Sequence, residues 1–283
     1  MIRKFYLENE YGQQWDLNNL TTGFLNGPSG LGYEREASYA RIGDRFIRNY
    51  IEDKQKSITG TVSFARVNGE SPYVQQHAFT QYVNAAKDLK LRYITDSGEY
   101  YRDVDLVTFE KSEIDENGAL QCSVSFTCRS LYYSNATDRF VVQRITGEYR
   151  FDARWPVRFS DYQYRRMTIS NDGHVSAPFT LDLYGYLESP TIFVEQNGVE
   201  VARAVFPVTV ELGEHIEYSS VDGDLYCRLV KNSRAVENIV PLLDIANENF
   251  FKLPVGNSQF NITGNTQVTS RTIMTIFKYY RVV

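Results

Sequence analysis

Apolar and polar residues alternate along most of the chain, and this period of two predicts half-buried β-strands. The clearest case is 120–128, where every second residue is apolar, and 57–64 alternates in the same way. A longer strand is expected over 100–111. The turn at 115–118, which contains Asn117-Gly118, predicts that this strand pairs with 120–128 as an antiparallel hairpin. The pattern therefore predicts a mainly β protein.

One segment of the first half departs from this pattern. Over 71–90 the apolar positions fall three and four residues apart, which predicts one amphipathic helix laid against a sheet. Ser71 is a suitable N-cap for this helix. Pro72 fits its first turn, where the missing N–H costs nothing.

Short alternating segments fill the second half and are separated by turn signals such as Asn197-Gly198. Several short strands at such spacing predict a sandwich or small barrel. Pro241 excludes a long helix over 234–251. Apolar content drops at 134–138, after the last strand of the first half. We therefore predict a first domain over 1–135, a linker over 136–147 and a second domain over 148–283.

Composition narrows the class of protein. Hydrophobic residues make up 42 % of the 283 residues and charged residues 23 %, which excludes wholesale disorder. The formal net charge of −5 argues against sequence-independent binding of nucleic acid. No apolar run reaches the roughly 18 residues that a membrane helix needs. The first residues lack the apolar core of a signal peptide, so we expect synthesis and folding in a cytoplasm.

The three cysteines are expected in the core. Cys122 and Cys128 lie on the apolar face of one predicted strand, about 20 Å apart, whereas a disulfide needs Cα atoms within about 7 Å. Cys227 alternates with leucines in the same manner. No C-x₂-C motif or histidine pair accompanies them, so we predict no metal site.

Candidate catalytic groups are few. His77, His174 and His215 are isolated from one another in the sequence and form no metal-binding or acid–base motif. Asp103 and Asp105 share one strand face about 7 Å apart, within the range of glycosidase carboxylate pairs, or they lie on a solvated face. We predict no catalytic residue and no cofactor.

The segment 41–54 mixes arginines with aromatic and aliphatic residues ahead of the first central strand. Arginine and aromatic side chains are enriched at protein–protein contacts. One interpretation is an ordinary edge strand or arm, and the other is a surface through which copies of the chain assemble. The candidate interface residues are Arg41, Arg45, Phe46, Arg48 and Tyr50.

The order of several short motifs resembles the distal tail protein (Dit) family of long-tailed, non-contractile bacteriophages. The resemblance covers nearly the whole chain. It is carried by Gly30-Leu31-Gly32-Tyr33, Ile58-Thr59-Gly60, Leu89-Lys90-Leu91-Arg92-Tyr93, the L-x-C-x-V-x-F strand at 120–126, Ser130-Leu131-Tyr132, Ile169-Ser170-Asn171-Asp172-Gly173, Ala177-Pro178 and Phe251-Lys252-Leu253-Pro254-Val255-Gly256-Asn257.

This resemblance implies an N-terminal β-sandwich or split barrel with one packed helix, followed by a galectin-like β-sandwich. It implies a homo-hexameric ring in the virion that joins the major tail protein of the tail tube to a tail-tip hub or lysin protein. Receptor-binding proteins would dock on the second domain, and DNA would pass through the ring without specific binding. It implies no catalysis and no cofactor.

Two other functions stay open from the residues alone. One is a carbohydrate-binding module or adhesin, although the galectin His-Asn-Arg-Trp constellation has no counterpart here and Trp155 is the only tryptophan near the second domain. The other is a glycoside hydrolase that uses Asp103 and Asp105.

Overall fold

The computed structural model describes residues 3–66, 69–134, 138–144, 165–244, 246–265 and 270–283. The chain divides into two compact units. Unit 1 comprises Met1–Asn135 together with Tyr280–Val283, and unit 2 comprises Ala136–Tyr279. Strands dominate both units, so the predicted mainly β class is confirmed.

Unit 1 is built around an antiparallel sheet in the order β2-β1-β8-β9-β10-β7-β4-β3, with β11 added on β9. The helix α1 lies between β7 and β8 in the sequence. The bounds are β1 (Lys4–Asn9), β2 (Gln14–Asp16), β3 (Asn18–Asn19), β4 (Gly23–Ser29), β5 (Arg35–Ile42), β6 (Arg45–Asp53), β7 (Ser57–Ala65), α1 (Pro72–Ala85), β8 (Leu89–Thr95), β9 (Gly98–Ile114), β10 (Ala119–Cys128) and β11 (Tyr132–Tyr133).

The central strand β10 has the alternation that its sequence predicts. Its residue Val124 pairs with Phe109 on β9 and with Gly60 on β7. Every second side chain of β10 is buried, and both of its cysteines are free thiols in the core. The turn into β10 contains Gly118 at a φ of 78°, a value that glycine adopts without strain. The predicted β9–β10 hairpin is therefore confirmed.

Helix α1 is shorter than the sequence predicts. Ser71 caps its start, because the Ser71 hydroxyl accepts a hydrogen bond from the Tyr73 N–H at 3.4 Å. The predicted end at residue 90 is wrong, since Ala86 has extended backbone angles (φ −81°, ψ 132°). Leu89 opens β8 instead and pairs with Asn9 and Val104.

The core of unit 1 lies between α1 and the sheet. Phe79 of α1 is fully buried, and its ring centre lies 5.7 Å from Trp15, 6.0 Å from Phe64 and 5.4 Å from Phe109. Aromatic pairs at such separations add to the free energy gained by area burial. One helical side chain therefore holds rings from three strands together.

Unit 2 is a sandwich of two antiparallel sheets. One sheet has the order β12-β22-β14-β18-β19-β20, and the other has the order β13-β21-β15-β16 with β17 on β15. The bounds are β12 (Asp138–Arg144), β13 (Arg165–Asn171), β14 (Phe179–Tyr184), β15 (Leu187–Gln196), β16 (Val199–Val205), β17 (Thr209–Val210), β18 (His215–Val221), β19 (Asp224–Val230), β20 (Val236–Asn238), a 3₁₀ helix (Val240–Leu242), β21 (Gly256–Asn265) and β22 (Ser270–Ile276). The last strand, β23 (Tyr279–Tyr280), is not part of either sheet of the sandwich, and its Tyr280 belongs to unit 1.

The two sheets of unit 2 enclose an aromatic core. Phe179 of β14 lies 5.4 Å from Tyr218, 5.4 Å from Phe251 and 5.6 Å from Phe260 between ring centres. Phe260 belongs to the opposite sheet, so this contact joins the layers. The 3₁₀ helix that contains Pro241 is three residues long, as a proline within the segment predicts.

Part of the predicted linker is regular structure. Residues 138–144 form β12, which pairs with β22 over its whole length. The remainder of that linker, 145–147, lies outside the described residues, as does Trp155. In the part of the chain that is described, no helix has the length and apolar character needed to cross a bilayer.

We expect Phe79→Ala to lower the free energy of unfolding of unit 1 by about 3–5 kcal/mol, because the substitution removes a fully buried ring and leaves a cavity. Hydrogen exchange of the β10 amides would report this opening. The control is Val74→Ala on the same helix, where the side chain is 60 % exposed and a change within about 0.5 kcal/mol is expected. Equal effects of the two substitutions would contradict the proposed core.

Candidate assembly surface

Strands β5 and β6 form a hairpin that stands apart from the main sheet. Within the described ranges, the strand pairing of this hairpin is confined to its own two strands. The two-residue turn is Gly43-Asp44, with Gly43 at a φ of 61° and Asp44 at a negative φ. A glycine with positive φ at the first turn position is the signature of a type II′ hairpin turn.

This hairpin exposes large apolar side chains on both of its faces. Every residue of β6 is exposed, and Phe46 near the tip is 71 % exposed. An isolated two-stranded hairpin is marginally stable in water, and a contiguous apolar patch marks an interaction site. The exposed large hydrophobic residues of the hairpin are Tyr39, Ile42, Phe46, Ile47, Tyr50 and Ile51.

The register divides the predicted interface residues between the two faces. Arg41 pairs with Phe46, and Tyr39 pairs with Arg48, so these side chains share one face. Arg45 pairs with Ile42 across the strands and lies on the other face.

Tyr50 joins Arg45 on that second face. A bulge between Ser38 and Tyr39 leaves Asn49 as an extra residue on β6 and changes the phase of the alternation, and Ser38 then pairs with Tyr50. The structure thus brings Arg41, Phe46 and Arg48 together on one face and places Arg45 and Tyr50 on the other. Tyr39, Ile42 and Ile47 were not among the interface residues predicted from residue type, although the Gly43-Asp44 pair is a hairpin signal in the sequence.

Ion pairs fasten the base of the hairpin. The Asp53 carboxylate accepts hydrogen bonds from the Arg35 Nε at 3.1 Å and from the Arg281 Nε at 2.9 and 3.0 Å. Glu34 lies beside Lys56 at 2.9 Å and Lys54 at 3.5 Å between charged atoms. The hydrogen bond and the charge of Lys56 lower the pKa of Glu34. The hairpin therefore has charged residues at its base. The rest of it exposes apolar and arginine side chains, and we call this part, residues 37–51, the blade.

The other residues singled out in the sequence are bound to different partners. Asp103 accepts a hydrogen bond from the Tyr133 hydroxyl at 2.8 Å, whereas Asp105 pairs with Arg129 at 3.3 Å. His215 stacks on Tyr184 with ring centres 4.5 Å apart. Asp103 and Asp105 are therefore held by two different partners.

The buried thiols are inert at neutral pH. Burial raises the pKa of Cys122 to about 11 and that of Cys227 to about 12, so both stay protonated. Among the residues whose placement is described, no three histidine, cysteine or acidic side chains come together as a metal site.

Comparison with known proteins finds a family that the first unit matches. Residues 4–129 match the family model described as the N-terminal domain of distal tail proteins. Unit 1 is similar to that domain over this range. The resemblance to the distal tail protein family that the sequence indicates is confirmed. No curated protein matches the chain in sequence.

Solved phage structures share the fold of the whole chain. A chain of the phage P2 baseplate in its activated conformation with Ca is 17 % identical, with a TM-score of 0.57 and coverage of 100 % of both chains. The SPP1 Dit (gp 19.1) protein is 12 % identical, with a TM-score of 0.63, and the match covers 96 % of this chain and 98 % of that one. That protein is described as a paradigm of the hub adsorption apparatus in phages that infect Gram-positive bacteria.

We expect Arg281→Ala to loosen the hairpin, because Asp53 then keeps only its contact with Arg35. Trypsin should cleave after Arg41, Arg45 or Arg48 severalfold faster than in the unsubstituted protein. Arg203→Ala, which removes an exposed ion pair with Glu200 in unit 2, is the matched control and should leave the cleavage rate unchanged. Equal cleavage rates in the two variants would show that Arg281 does not hold the hairpin.

The Glu34 carboxyl should titrate below its ordinary value of 4.5, because Lys56 stabilises its charged form. A lowered pKa means that this pair stabilises the folded state above pH 4.5 and that the contribution is lost as the pH falls through the folded value. NMR titration of the side-chain carboxyl would measure it. Lys56→Gln should move the midpoint back towards 4.5 by more than Lys54→Gln does, and the reverse order would contradict the assignment.

Proposed function

We propose that this protein is a structural subunit of the tail tip of a long-tailed phage. The match of residues 4–129 to distal tail proteins supports this role, as does the fold shared with phage baseplate and hub chains. In this role the protein acts by binding other proteins rather than by catalysis. It is made in the cytoplasm of the host cell and ends in the virion.

The observation that carries the proposal is the free-standing hairpin β5–β6. Its apolar side chains have no core of their own to enter, so burial against a second copy is the way in which they leave water. The arginines Arg41 and Arg48 lie beside Phe46 and Tyr39 on one face, and arginine and aromatic side chains are the commonest energetic anchors of interfaces.

The assembly that fits this hairpin is a closed ring of six copies formed through unit 1. In a ring, one surface of each copy meets a different surface of the next copy, which is a heterologous contact. A projecting hairpin on one side of a unit suits such a contact, because it reaches a neighbour without requiring a self-complementary surface. Burying both faces of the blade would also complete the desolvation of its aromatic side chains.

The ring has distinct neighbours along the tail axis. We infer that it joins the major tail protein of the tube on one side to a hub or tail-associated lysin protein on the other. The sandwich of unit 2, galectin-like in this proposal, is a docking platform for receptor-binding proteins. DNA passes through the centre, and the formal net charge of −5 per chain disfavours its retention there.

We expect Phe46→Ala to weaken self-association by at least about 30-fold in dissociation constant, the effect of losing an interface anchor worth about 2 kcal/mol. Sedimentation velocity over a concentration series would measure it on the full chain. Tyr11→Ala is the matched control, because Tyr11 is an aromatic residue of unit 1 that is 76 % exposed outside the hairpin.

The unsubstituted protein should sediment as a hexamer, either alone or together with the major tail protein. A monomer under both conditions would contradict the ring. Equal weakening by Phe46→Ala and Tyr11→Ala would contradict the assignment of the interface to the hairpin.

A further inference from the structure

The outer face of the sheet β13-β21-β15-β16 in unit 2 carries a pocket of about 270 Å³. It lies at the end of the sheet where the turn Asn197-Gly198 joins β15 to β16. Its side chains come from three neighbouring strands and from this turn. They are Thr168, Glu195, Asn197, Asn257, Ser258 and Gln259.

Strand register brings these groups together from distant parts of the sequence. Gln259 of β21 pairs with Thr168 of β13 on one side and with Glu195 of β15 on the other. The three side chains therefore form one row across the sheet, with strands about 4.8 Å apart. The turn completes the wall, with Asn197 at a φ of 54° and Gly198 at 77°, the pattern of a type I′ hairpin.

Two buried polar atoms in or beside this site have no hydrogen-bond partner. They are the Ser258 hydroxyl, in a residue that is 4 % exposed, and the side-chain oxygen of Asn261, in a residue that is 0 % exposed. Ser258 belongs to the lining and lies on the buried side of β21, since it alternates with the exposed Gln259. Asn261 lies outside the lining and adjoins it, because its amide nitrogen donates to the Glu195 carboxylate at 3.3 Å. Buried polar side chains without partners are rare.

The chemistry of the lining selects the ligand. Hydroxyl and amide groups donate and accept hydrogen bonds, whereas the carboxylate only accepts them. Among the described residues that line the pocket, none has a basic side chain. An anion would find no opposite charge there. A metal ion would find a single carboxylate in the pocket. In the described chain, no three metal-ligating side chains come together, here or elsewhere. A neutral ligand with several hydroxyl groups fits both the donors and the acceptors.

We propose that this pocket binds one neutral sugar unit of a glycan. Glu195 accepts hydrogen bonds from sugar hydroxyls, which are strengthened by its charge, and the amides of Gln259 and Asn257 bind neighbouring hydroxyls. The volume is below that of pockets for drug-sized ligands, which start at about 300 Å³, so the site suits a single ring. The biological source of the sugar rests on the proposed function: at a tail tip, unit 2 would meet glycans of the host surface.

The test is an NMR titration of the full chain with glucose, galactose, N-acetylglucosamine and N-acetylgalactosamine, and with N-acetylneuraminic acid as an anionic comparison. At least one neutral sugar should shift the amide signals of Thr168 and Gln259, and the anionic sugar should not. Glu195→Gln should raise the dissociation constant at least about tenfold, because a charged acceptor is lost. Thr168→Val, on the exposed side of β13, is a second variant with the same expected direction.

Glu200→Gln is the matched control. Glu200 pairs with Glu195 across β15 and β16 but lies outside the lining and is held by Arg203 at 2.6 Å, so its substitution should leave binding unchanged. The proposal is overturned if none of the four neutral sugars shifts these signals, if the anionic sugar binds as tightly, or if Glu200→Gln weakens binding as much as Glu195→Gln. Sedimentation velocity distinguishes this proposal from the ring. If the sugar site is wrong, no sugar binds although the protein assembles. If the ring is wrong, a sugar binds although the protein stays monomeric.

Discussion

Both units depend on the same interaction, the burial of aromatic rings between two layers of secondary structure. Phe79 fills the space between α1 and the sheet of unit 1, and Phe179 joins the two sheets of unit 2. Each ring contacts aromatic partners on several strands, so the layers cannot shift without separating these contacts. Rigid packing of this kind holds the surface loops and strand faces in fixed positions.

The hairpin β5–β6 differs from both cores, because its aromatic side chains are not buried between two layers. It is rich in large apolar side chains, yet they lie exposed on both of its faces. The core strand β10 instead buries the apolar side of its alternation. We propose that another molecule supplies the layer that covers the hairpin, since the described residues of this chain leave it exposed.

Local sequence explains the parts of the fold in which one face meets the core and the other meets water. Strand β10 was predictable for this reason, and so was the start of α1 at Ser71 and Pro72. The end of α1 was not, because Ala86 and Leu89 continue the helical spacing although Leu89 pairs with Asn9 in the sheet. Tertiary pairing overrides local periodicity there.

The candidate sites show the same limit. Arg41 and Phe46 were identified from residue type, but the bulge between Ser38 and Tyr39 decides which side chains share a face, and no local signal marks it. The pocket on unit 2 was not predicted, because Thr168, Glu195 and Gln259 meet only through the register of three strands.

The position of Arg281 along the chain has a consequence for biogenesis. This residue belongs to unit 1 but is synthesised after every residue of unit 2, and it completes the clamp on Asp53 at the base of the hairpin. While unit 2 is being translated, the hairpin of unit 1 therefore lacks the ion pair between Asp53 and Arg281. A chain that terminates before Arg281 would therefore lack this contact and hold Asp53 through Arg35.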